Sequence, residues 1–149
     1  MKRLDFIFIT LIGLVAFLLG GKLIDSLGQT QIGFIDQPLT DLSAFEKRIE
    51  AQIQSGEDIY LLARQWEWST ELTLKEGKNY KLHIASGDIQ HAFHLEKKAT
   101  GHSIDILLQP GREYVVSLNN LTAGVYAIGC TQYCGIEHNK MRGKLIVLK

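Results

Sequence analysis

The 149-residue chain has no excess charge of either sign: 16 lysines and arginines meet 16 aspartates and glutamates. A nucleic-acid partner calls for a strongly basic surface, so this balance argues against one. No internal repeat and no low-complexity run occurs, which excludes solenoid and tract architectures. Cysteine is scarce, and two residues allow one disulfide at most. Hydrophobic runs are also short. The most apolar stretch, Phe6 to Gly21, has 16 residues without a charge, against the roughly 17 to 25 that a transmembrane helix needs. The length suits one domain plus an appendage.

What is present is concentrated near the C-terminus. Both cysteines fall in Cys130-Thr-Gln-Tyr-Cys134-Gly-Ile-Glu-His138-Asn-Lys-Met141, a Cys-x3-Cys-x3-His-x2-Met spacing that reads as a metal loop. Soft sulfur donors select copper(I), zinc or iron-sulfur clusters and imidazole suits copper and zinc, so a mixture that includes a thioether points to copper. A mononuclear blue-copper site needs one thiolate with two histidines and a weak methionine. The second thiolate at i+4 can bridge two metals, and a binuclear copper centre is the expectation. The rival is a disulfide between Cys130 and Cys134, which an even count in an oxidising compartment permits.

With this loop, Gln65-Trp66-Glu67-Trp68-Ser69 and Asp88-Ile89-Gln90-His91-Ala92-Phe93 give the chain a resemblance to subunit II of the haem-copper (cytochrome c) oxidases, over roughly Ile59 to Lys149. That family carries a binuclear copper A centre in a Greek-key cupredoxin β-sandwich. The resemblance implies bridging thiolates at Cys130 and Cys134, His91 and Met141 on one copper, and His138 with the backbone carbonyl of Gln132 on the other. It implies that electrons arrive through Trp66, with Trp68 left as packing. It further implies a partner, oxidase subunit I, and a donor, cytochrome c or a small copper protein. His83, His94 and His102 are expected to be bystanders. Where many relatives have a glutamate that reaches magnesium, this chain has Gln132, a poor ligand for a hard cation. That difference and a single anchor resemble the ba3-like branch.

The remainder divides into an N-terminal membrane anchor at 1–24, a connector at 25–56 and the copper domain at 57–149. Lys2 and Arg3 before the apolar stretch put the N-terminus in the cytoplasm and the C-terminal domain outside. A cleaved signal peptide is the alternative reading of the same stretch. Asp5, at its edge, is expected to lie at the interface. In the connector, Leu42, Phe45, Ile49 and Ile53 recur at helical spacing, with a capping box at Ser43-x-x-Glu46 or a start at Thr40 or Asp41. Packing of this amphipathic helix on a partner, the membrane or its own domain stays open. From Asp58 onward the period becomes two: Leu72, Leu74; Tyr80, Leu82, Ile84; Ile104, Ile106, Leu108; Tyr114, Val116, Leu118; Tyr126, Ile128; Ile146, Leu148. Turn signals between these runs fit an antiparallel sandwich. An acidic patch of Glu67, Glu71 and Glu137 is a candidate donor surface. The functional alternative is a membrane-tethered cupredoxin carrier without an oxidase partner.

Overall fold

A computed structural model describes residues 3–28, 33–52 and 56–149. They form two compact units, residues 1–31 and 32–149. The first holds one helix, α1, Arg3–Gly28. Its large side chains from Phe8 to Leu19 are exposed, Phe17 by 79%. Among the described residues no helix is long and apolar enough to cross a membrane. The side chains of Asp5 and Phe6 lie outside the described residues, as does Ile53 of the connector stripe.

The second unit is a two-sheet sandwich. Its strands are β1 (Phe34–Pro38), β2 (Asp58–Arg64), β3 (Glu67–Trp68), β4 (Leu72–Lys75), β5 (Tyr80–Ser86), β6 (His91–Leu95), β7 (Ile104–Leu108), β8 (Arg112–Leu118), β9 (Gly124–Cys130) and β10 (Arg142–Leu148). One sheet has the order β1-β8-β5-β2-β3 and the other β4-β10-β9-β6-β7. The pairing is mixed: β2 with β5 and β4 with β10 run parallel, against the all-antiparallel expectation. Between β2 and β5 the chain crosses to β4 in the opposite sheet, so it returns to its first sheet travelling the same way.

Alternation fills the space between the sheets. Ile59, Leu61, Leu82, Ile84, Phe93, Leu95, Val116, Leu118 and Ile128 are all fully buried, as period-two strands with one face on a core require. The last strand departs from the expected phase. Leu145 and Val147 point inward while Leu148 is 47% exposed. In a run as uniformly apolar as Leu145-Ile-Val-Leu148, periodicity cannot set the phase, and pairing does so instead: Leu145 lies opposite Leu72 and Tyr126.

The segment read as connector contributes to this unit. β1 pairs with β8, and α2, Leu42–Ala51, lays Phe45 edge-on against Tyr60 at 5.4 Å. Phe45, Leu62 and Ala85 make a second small core beneath the helix, so α2 packs on its own domain. Its cap is Asp41, whose side chain accepts from the Ala44 backbone N–H at 3.0 Å, in place of the Ser43 box. Phe45→Ala is expected to lower stability by about 3 kcal/mol, the low end of such truncations because this core is shallow. Metal uptake should stay normal, which denaturant melts beside copper titration will check.

Candidate metal centre

Antiparallel pairing of β6 with β9 sets Phe93 opposite Cys130. His91, at the start of β6, therefore comes to the end of β9, although 39 positions separate it from Cys130 in the chain. A compact loop then carries the remaining donors: a 3-10 turn over His138–Lys140 lies between Cys134 and Met141 and delivers the chain into β10.

The result is a cluster. Cys130 Sγ lies 3.9 Å from His91 Nδ1, 3.2 Å from the Gln132 carbonyl oxygen and 3.9 Å from Cys134 Sγ. Cys134 Sγ lies 3.4 Å from His138 Nδ1 and 3.8 Å from Met141 Sδ. All six residues singled out as ligands meet here. His91, Cys134 and Met141 are at most 1% exposed, and Cys130 is half-buried. The two cysteines are free thiols. At 3.9 Å their sulfur atoms are far beyond the 2.03–2.05 Å of a disulfide.

Such spacing suits ligands of a shared ion. The edge of a tetrahedron built on metal–sulfur bonds near 2.3 Å is about 3.8 Å, close to the separations seen. The donor set of two thiols, two imidazoles and a thioether, with one carbonyl oxygen as its hard member, matches a soft or borderline metal such as copper.

Several residues support the ligands without being among them. The Ala92 N–H approaches Cys130 Sγ at 3.5 Å. Trp66 Nε1 and Gln65 Nε2 both donate to the Cys134 carbonyl, at 3.0 and 2.7 Å. That double contact requires a glycine next in the chain. A Cβ at Gly135, whose φ is +120°, would come within 3.0 Å of Gln65 Nε2 and 3.1 Å of Trp66 Nε1. Trp66 is half-buried against the core, whereas Trp68 packs edge-on to Phe93 at 5.8 Å. Sequence reasoning missed the parts played by Gln65, Gly135 and Asp88. Only Asp88, three residues before His91, left a readable signal.

Two of the bystander histidines are engaged elsewhere, and the third, His102, has its Nε2 buried without a hydrogen-bond partner among the described residues. His83 is held between Glu113 at 2.6 Å and Asp58 at 3.1 Å, and His94 pairs with Asp105 at 3.0 Å. The acidic patch is largely neutralised, since Glu71 pairs with Lys144 and Glu137 with Lys140.

Burial, followed by the neighbouring Cys130 sulfur, pushes the Cys134 thiol up from 9.0 to about 11. The bound metal needs the thiolate, so copper uptake should release protons and weaken as pH falls. In the metal-free chain the neutral thiol is the favoured folded form. Its contribution is complete below the unfolded value of 9.0 and is lost as pH rises towards about 11. Chemical melts of the metal-free protein should therefore lose stability across that window, and Cys134→Ala should flatten the slope.

The chain is similar to known proteins in both sequence and fold. It is 30% identical over 102 residues to cytochrome c oxidase subunit 2 of Thermus thermophilus, covering 66% of this chain and 73% of that protein. A second protein of that name from the same species is matched at 30% identity over 102 residues, with 58% of its length spanned. A heme-copper terminal oxidase dimer solved by cryo-EM contains a chain of TM-score 0.58 at 22% identity, covering 98% of this chain and 100% of that one. The periplasmic domain of subunit II of the Bradyrhizobium japonicum cytochrome oxidase aligns at TM-score 0.55 and 20% identity, over 64% of this chain and 86% of that domain. These likenesses identify the sandwich as cupredoxin-like. No protein-family model matches the chain.

Proposed function

The chain belongs to the cytochrome c oxidase subunit 2 family, and from that premise we propose that it accepts electrons for a haem-copper terminal oxidase through a binuclear copper A centre. The observation that carries this reading is the convergence of four further donor residues on two free thiols 3.9 Å apart. Two thiolates suffice to bridge two ions. Because each sulfur would touch both coppers, proximity to one sulfur does not sort the terminal ligands; His91 with Met141 and His138 with the Gln132 carbonyl remains the assignment proposed.

A bridged copper pair supplies one-electron storage in which the charge is shared, so little geometry changes on reduction. The protein's contribution is rigidity. Buried His91, Cys134 and Met141 are fixed by strand pairing and by the loop's internal hydrogen bonds, and ligands locked in this way cannot relax far. With all six donor residues holding the ions, none of them would be free to give way to oxygen, and the chain would serve to pass electrons on. Trp66 is the proposed point of arrival. Its indole N–H bonds the carbonyl of a ligand residue directly, a covalent and hydrogen-bonded route of one residue from ring to thiolate. A donor such as cytochrome c or a small copper protein would dock over it, and subunit I would take the electron on.

In this assignment α1 anchors the chain within residues 1–24, with Lys2 and Arg3 on the cytoplasmic side and the copper domain of residues 57–149 outside. The exposed apolar side chains from Phe8 to Leu19 support that role, and the uncharged run with its flanks through Ile24 reaches the lower end of a spanning length. The 25–56 segment joins the copper domain to the anchor and adds β1 and α2 to the sandwich.

Paramagnetic resonance on the copper-loaded full chain tests the centre. Hyperfine splitting from two equivalent coppers, with two metals per chain and a purple colour, is expected. One copper per chain with a blue or red colour would refute the binuclear reading. Gentle detergent extraction should also bring down a haem-containing partner, whereas a lone coloured protein would point to the tethered carrier.

A further inference from the structure

Asp88 lies in the turn between β5 and β6 and makes three short contacts with three different groups. Its Oδ2 accepts from the Gln65 backbone N–H at 2.7 Å, and its Oδ1 accepts from the Ile89 N–H at 2.6 Å and meets His91 Nε2 at 2.8 Å. Backbone N–H groups donate to both oxygens of this carboxyl, so each oxygen serves as an acceptor. The proton of a neutral His91 ring therefore belongs on Nε2, and the lone pair sits on Nδ1, the atom that faces Cys130 Sγ. His91 is 0% exposed, so no water competes for either nitrogen.

The second oxygen does different work. It grips the backbone of Gln65, whose side chain, together with the adjacent Trp66 indole, donates to the Cys134 carbonyl. Contacts thus run from His91 through Asp88 and Gln65 to Cys134, and the two ends meet again at the sulfur cluster. This closed ring ties two turns of the sandwich to the metal loop. Neither Asp88 nor Gln65 supplies a donor to the cluster, yet together they span the segments that do.

We propose that Asp88 is a positioning residue: it fixes the His91 tautomer that presents Nδ1 to the thiol pair, holds the Gln65–Trp66 turn against the Cys134 carbonyl, and so tunes the reduction potential of the centre. The potential part rests on the copper reading above; the tautomer part does not. A carboxylate on the outer nitrogen makes the ring a stronger donor and favours the oxidised, more highly charged site. Its loss should raise the potential. Loss of such an outer partner typically costs roughly 10- to 100-fold in metal affinity, and that range is expected here.

The test compares the full wild-type chain with Asp88→Asn and Asp88→Ala. Asparagine keeps the size of the side chain and one acceptor, so it remains informative where alanine fails to fold. Without metal, ring 15N shifts should show His91 as the Nε2–H tautomer in the wild type and a mixed or reversed population in Asp88→Asn. With copper, Asp88→Asn should keep the visible bands while its potential rises and its affinity falls 10- to 100-fold. A folded Asp88→Asn chain with wild-type tautomer and wild-type potential overturns the proposal. A wild-type chain that takes up no copper removes the copper reading, and the metal-free tautomer then still decides the positioning role.

Discussion

If the centre is the binuclear copper site proposed above, Cys134→Ser is expected to remove it: copper content should fall from two ions per chain to one or none, and the purple mixed-valence spectrum should disappear. Cys134 Sγ is the donor nearest to three others, His138 Nδ1 at 3.4 Å, Met141 Sδ at 3.8 Å and Cys130 Sγ at 3.9 Å. A serine oxygen in that place is hard, protonated at neutral pH and unable to bridge soft ions. Cys130→Ser acts on the other half, taking away the atom beside His91 and the Gln132 carbonyl, and should be as damaging. The fold itself should survive either change, because the substitution is nearly isosteric and a buried hydroxyl costs only about 1–3 kcal/mol. Metal analysis and paramagnetic resonance on purified full chains decide the matter. Two coppers retained in either serine variant would show that the thiolates do not bridge.

Trp66→Leu is expected to slow electron arrival from the reduced donor by about tenfold or more, which corresponds to about 1.4 kcal/mol of barrier. Copper content, optical spectrum and onward transfer to haem should hold. The ring is half-buried and its N–H contacts the carbonyl of Cys134, so the substitution removes both the aromatic surface and the bond that links it to the ligand loop. Trp66→Phe keeps the ring and loses only the bond, an intermediate case. Were the indole merely a packing element, the main effect would be a loss of stability of a few kcal/mol with normal arrival rates. Donor kinetics beside thermal melts separate the two readings, and an unchanged rate in a copper-replete variant would pass the role to another side chain, with Trp68 next.

The site was legible where its chemistry is local. Cys130, Cys134, His138 and Met141 declare themselves because twelve consecutive residues hold four soft or borderline donors. His91 needed the family resemblance, since what brings it to Cys130 is the register of β6 on β9, which depends on partners far along the chain. Strands β5, β7 and β8 could be read by alternation, whereas β6, buried along nearly its whole length, could not. The phase of β10 could not, because a solid run of apolar residues carries no period. The cap of α2 went to Asp41 over Ser43, a contest between two good cap formers two residues apart that only backbone geometry resolves. Gln65 and Gly135 were invisible for another reason. A hydrogen bond to a backbone carbonyl, or a missing Cβ facing an indole, has no compositional signature.

The pairing of Phe93 with Cys130 has a bearing on assembly. Side chains on a strand alternate faces, so a slip of one residue between β6 and β9 would turn His91 away from the thiols. Hydrogen-bonded strands and a buried apolar face set this register before any metal is present. In the proposed copper centre the metal would then enter a socket whose shape the strand register already sets, and a misaligned molecule would be recognisable by its failure to take colour.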